Sequence, residues 1–147
     1  MRDLAQLEDR VRDLEACNLQ VPQVDLQTRM FAHAGMGART IFVPKGTTIT
    51  GAKTNIANIC VVSGDITVTT EDGPKRMTGF HVLQAGPGFK RAGYAHEDTW
   101  WTTIWPTALT DPKDMEDEMT AESDMLQTRR EGIVYQQPME LEHGIRD

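Results

Sequence analysis

The sequence contains no run of about 18 apolar residues, so no segment of it reads as a membrane-spanning helix. It has only two cysteines, Cys17 and Cys60, far apart and without any apolar leader before them. Two such thiols read as free, with Cys60 a small buried hydrophobe inside the β-like run INICVV. The opening residues MRDLAQLEDRVRDLEA are charged throughout and lack the apolar core of a secretory signal. A basic stripe is missing too. Seven acids between Asp111 and Asp124 face Lys113 alone, and the pairs Lys75-Arg76 and Lys90-Arg91 are too small to attract a phosphate backbone. Nucleic acid is therefore excluded as a partner. No Gly-x-Ser-x-Gly element or phosphate-cradling loop is present, and Ser63 lies in a turn, so nucleophilic catalysis is not expected.

What is present has the size of one domain: 147 residues, with a formal net charge of -7. Residues 1–17 carry an amphipathic pattern in which Leu4, Leu7, Val11 and Leu14 follow the spacing of heptad a and d positions. Two heptads do not hold a helix in water, so the stripe packs either on the chain's own body or on the same helix of other subunits. Residues 18–38 read as a linker arm, interrupted by Pro22 and by the glycines of HAGMGA. From Arg39 to Thr107 the texture changes to about eight short β segments punctuated by turns, the pattern of a small antiparallel barrel. Glu71-Asp72-Gly73 marks a hairpin, Ser63-Gly64-Asp65 a tight bend, and TWWTTIW the most β-prone strand. An acidic helix follows over 108–132, with Asp111 as N-cap, Pro112 at the first position, Arg129 and Arg130 in the last turn and Gly132 closing it. Its carboxylates read as a solvated face. Residues 133–147 read as a tail.

Three strings carry a resemblance. Pro44-Lys45-Gly46 and Val62-Ser63-Gly64-Asp65 look like the opening and closing of a first motif, and Arg91-Ala92-Gly93-Tyr94-Ala95-His96 like a second. Together they resemble the cupin superfamily, and the fold this implies is mainly β: an antiparallel β-barrel or jelly roll with an N-terminal heptad helix and a C-terminal acidic helix. Cupins hold a divalent metal with three histidines and a glutamate. Here Thr50 to Asn58 reads TGAKTNIAN, Ala57 falls where the glutamate belongs, and His96 alone stands at a ligand position. One imidazole does not make a metal site, so neither metal nor cofactor is expected. A narrower likeness joins SGDITVTTEDG, KRAGYAHEDTWWTTIW and the acidic helix to small cupin-like proteins of tailed bacteriophages.

These readings lead to a non-enzymatic structural or assembly protein. The phage likeness implies a virion component that contacts itself and other virion proteins, located in the virion or the host cytoplasm. Leu4, Leu7, Val11 and Leu14 are the expected oligomer contacts. The alternative is a small-molecule module whose barrel mouth uses Lys90, Arg91, Tyr94, His96 and Trp101, and a metal-dependent cupin enzyme comes third. In a strand Trp101 and Trp105 share one face with Thr103, while Trp100 shares the other with Thr102 and Ile104. Tryptophan on both faces implies that a helix or a second subunit covers the outer one.

Overall fold

The computed structural model describes residues 4–131 together with Pro138, Met139 and Leu141. The expected closing glycine Gly132 and nearly all of the tail lie outside the described residues. Helix α1 (Leu4–Asn18) is followed by strands β1 (Arg29–His33), β2 (Met36–Val43), β3 (Thr48–Thr50), β4 (Asn58–Thr70), β5 (Gly73–Ala85) and β6 (Ala92–Pro106). Then come α2 (Pro112–Met119), a 3-10 turn at Ser123–Met125, and the single turn α3 (Gln127–Arg130). All pairings are antiparallel, in the order β1-β2-β6-β4-β5, with β3 joined to β6. The architecture is mainly β with helices at both ends, as the cupin resemblance implies.

The strands are fewer and longer than the turn signals suggest. Ser63-Gly64-Asp65 does not end a strand; it is a bulge within β4, where the register against β6 shifts. A bulge bends its strand and sharpens the local twist. Consequently β4 and β6 serve both walls of the barrel. The N-terminal end of β6 pairs with β3, while its C-terminal end pairs with β2. Only glycine fits at the bend. Gly64 has φ +148, and a Cβ there would stand 2.6 Å from the Asp98 carbonyl oxygen. The stretch read as a linker arm contains β1 and the start of β2. Ala34 and Gly35, at φ 52 and 75, form the two-residue hairpin turn between them.

The expected acidic helix is also interrupted. It ends at Met119 because Thr120 turns extended and its hydroxyl donates to the Lys53 carbonyl at 2.7 Å. Asp111 does cap it, accepting the Asp114 N–H. The carboxylates are not uniformly solvated: Glu116 is buried, accepting from the Thr128 hydroxyl at 2.5 Å and from Arg129 Nε at 3.1 Å. Met115 and Met119 of α2 close one end of the barrel against Met30 and Trp105. Val62, Ile66, Val68 and Met77 fill the other.

One buried cation joins these parts. Lys90, whose side chain is fully buried, donates through Nζ to Glu15 Oε2 (2.9 Å), the Gly51 carbonyl (2.9 Å) and Glu122 Oε1 (2.6 Å). Glu122 also accepts from the Lys53 N–H (2.7 Å) and from Arg12 Nη1 (2.9 Å), and Lys53 Nζ reaches Glu8 at 2.8 Å. Helix α1 is thereby fixed beside β3, with Val11 buried and Leu7 and Leu14 half-buried. Helix α1 packs on the chain's own body through Val11, and Leu4 stays exposed. Burial pushes the Glu122 carboxyl up, but the bonds from Lys90, Lys53 and Arg12 outweigh it and hold the group below its ordinary 4.5.

Removing one partner of a buried ion pair leaves the other uncompensated. Lys90→Met should therefore destabilise the protein by about 3 kcal/mol, the low end for such pairs because both carboxylates keep an edge in water. Chemical denaturation measures this. A depressed carboxyl contributes stability that is fully present above its unfolded value and lost as pH falls through the folded one. Stability should thus decline below pH 4.5, and Glu122→Gln should flatten that decline.

Candidate functional site

Inward-facing positions of β2, β4 and β6 enclose a cavity of about 160 Å³. Strand alternation puts Asn58 and Cys60 of β4 on the same side as Trp101, Thr103 and Trp105 of β6. Cys60 lies opposite Thr103, Val62 opposite Trp101, and Arg39 of β2 opposite Thr103. Arg91 enters from the start of β6 with its guanidinium carbon 5.1 Å from the centre of the Phe89 ring, a cation held on an aromatic face. The chamber is thus mainly apolar, with the guanidinium groups of Arg39 and Arg91, the Glu116 carboxylate and a few neutral polar atoms in its wall. Trp105 is 1% exposed, and its indole N–H has no acceptor among the described residues. Burial pushes the Cys60 thiol up; the Arg91 charge and bonds with Trp101 and Thr103 pull the other way and only offset part of it.

The five residues expected at a barrel mouth do not converge. Arg91 and Trp101 line the cavity. Lys90 is consumed by Glu15 and Glu122. Tyr94 and His96 lie on the opposite face of β6 from the fully buried Ala95 between them. There the rings meet edge to face at 5.0 Å, and His96 Nε2 is 2.7 Å from Thr67 Oγ1. Asn58, Cys60, Thr103, Arg39 and Phe89 were not assigned to a site from the sequence, although Cys60 reads there as buried and Thr103 as sharing the face of Trp101 and Trp105. Period-2 alternation in β4 and β6 contains the signal for the first three, once the strand limits are known.

The donor set does not fit the metal that a cupin resemblance implies. His96 is turned out of the barrel, Ala57 offers no ligand atom, and no group of three His, Cys, Asp or Glu residues converges among the described residues. No reaction step is built through such an ion.

No protein-family model matches the chain, and no curated protein matches it. Among solved structures, it is similar to a cupin-2 domain protein from Shewanella frigidimarina at 11% identity, covering 62% of this chain and 90% of that one, with a TM-score of 0.45. Ectoine synthase from P. lautus aligns at 13% identity over 63% of this chain and 71% of that one, with a TM-score of 0.49. The cupin-2 domain of an XRE family transcriptional regulator from Enterobacter cloacae aligns at 9% identity, covering 51% and 84%, with a TM-score of 0.42. These are similarities of outline, and the description of the barrel rests on its own strand order and register.

The two thiols should differ sharply in reactivity, because only the thiolate attacks. With a thiol reagent near neutral pH, one equivalent should react promptly at exposed Cys17, and Cys60 should react only after denaturant is added. Equal rates at both would contradict the burial of Cys60.

Proposed function

We propose that this protein is a non-enzymatic assembly component of tailed-bacteriophage particles, a rigid cupin-like body acting through protein–protein contacts with itself and with other virion proteins. The observation that carries this reading is the fate of the residues at cupin ligand positions. Ala57 has no donor atom, and His96 bonds to Thr67 on the outside of the barrel. Lys90, a cation close to His96 in sequence, is spent on holding α1 and the C-terminal segment in place. His96 and Lys90 are thus used for construction. The phage setting is supported by the likeness of SGDITVTTEDG and KRAGYAHEDTWWTTIW to small phage proteins. Two measurements test the proposal. Washed, purified virions should contain the chain at a fixed copy number, and protein prepared without chelator should contain no stoichiometric divalent metal. Absence from particles, or a bound metal lost in His96→Ala, would overturn it.

A second reading is favoured by the unanswered Trp105 indole N–H in a cavity that also holds Arg91. A small molecule with an acceptor atom and an anionic group fits that wall, and the protein then sequesters it. Under this reading native mass spectrometry of gently purified protein shows an added mass that disappears in Arg91→Ala. An unchanged bare-chain mass in both proteins would remove it.

A further inference from the structure

The side of the sheet away from the cavity is mainly apolar, continuous and uncovered by any described helix. Cross-strand partners share a face, so the register defines its rows. One row runs Phe31–Ala38–Ile104–Ile59–Gln84 across all five strands of the main sheet. The next runs Arg29–Thr40–Thr102–Val61–Val82, and a third Phe42–Trp100–Ser63–Phe80. Phe80 is 68% exposed, Val82 61% and Ile59 48%. This is the outer face on which Trp100 was expected to be covered. Both helices that pack on the barrel leave it open: α1 sits against β3, and α2 closes the end beside Trp105.

We infer that this face is the docking surface for a second copy of the chain, pairing sheet to sheet about a twofold axis along β6. The inference deepens the assembly reading and rests on it for its biological setting. Three features select a second copy over a different partner. The rows contain no carboxylate, although the chain carries a net charge of -7. Their one charged residue, Arg29, lies over the Trp100 ring at 5.4 Å at the margin of the patch. A partner recognised by charge would find little to pair with, whereas an identical face with no carboxylate and one peripheral cation meets its own kind. Secondly, β6 is the middle strand, with two strands on each side. A twofold rotation about it keeps each row at its own level, so Ile104, Thr102 and Trp100 meet their own copies on the axis. Ile59 then meets Ala38, Val61 meets Thr40 and Ser63 meets Phe42, with no like charges opposed, as an isologous interface requires. Thirdly, five strands about 4.8 Å apart and three rows of side chains give roughly 500 Å² per copy. Two copies then bury about 1,000 Å², the lower bound of a specific interface. Sheets packed in this way stand about 10 Å apart with their strands about 30° from parallel.

Sedimentation across a concentration series tests this directly. The wild-type chain should be dimeric at micromolar concentration. Phe80→Lys combined with Val82→Lys should weaken the dimer at least 100-fold and leave circular dichroism and the melting curve of the monomer unchanged, because both side chains face water in a single copy. In a Cys17→Ser background, Thr102→Cys on the axial strand should form a disulfide between copies under mild oxidation. A wild-type chain that stays monomeric to hundreds of micromolar would overturn the inference, including the case where another virion protein takes the face. So would a dimer that persists in the double variant, or one abolished by Leu4→Lys. A dimer absent from particles would retain this inference and remove the assembly reading; a monomer present in particles would do the reverse.

Discussion

The Lys90 ammonium is the point on which the molecule's parts depend. It has three acceptors, each from a different segment: Glu15 of α1, the Gly51 carbonyl after β3, and Glu122 beyond α2. A fully buried cation is tolerable only when its hydrogen bonds are satisfied and its charge is met. Here two carboxylates meet it, and Glu122 in turn accepts from Arg12 and from the Lys53 N–H. The arrangement explains why a short helix without the length to stand alone is ordered on the barrel. It also explains why the acidic segment bends at Thr120 in place of running straight.

The bulge at Gly64 is the matching constraint on the sheet. Without it, β4 and β6 would continue flat, and the two walls would need separate strands. With it, the same strands turn the corner, and Thr99, fully buried, ties the bend by accepting the Asp65 N–H at 3.1 Å. The bend gives the barrel two distinct faces. Inward rows form a small chamber with Cys60, Trp101 and Arg91, while outward rows form the apolar surface from Phe31 to Phe80. The cupin ligand positions belong to neither arrangement in a way that would hold a metal.

Much of this was readable in the residues, and the parts that were not have physical reasons. The β texture, the Glu71-Asp72-Gly73 hairpin, the Asp111 cap and the opposite facing of Trp100 and Trp101 all follow from local chemistry, and local chemistry is what a sequence displays. Strand number was misjudged because a bulge and a turn use the same residues: Ser63-Gly64-Asp65 signals either. The β1–β2 hairpin escaped notice because Ala34 takes a left-handed conformation that alanine seldom adopts. The five expected site residues scattered for a different reason. Lys90 is a neighbour of Arg91 in sequence, but its partners are 32 and 75 residues away, and no local pattern announces them. Tyr94 and His96 were assigned inward by motif likeness, whereas Ala95 takes the buried position between them.

In the proposed dimer the working surface of this barrel is its outer face, and the buried groups inside hold it together. Hydroxyl-radical footprinting of the assembled and the diluted protein compares those two regions in one experiment. Assembly should suppress labelling at Phe80, Trp100 and Ile59 several-fold while leaving Trp101, Trp105 and Cys60 as weakly labelled as before. Unchanged labelling of the outer rows, with a change confined to the chamber residues, would contradict the account and move the function inside.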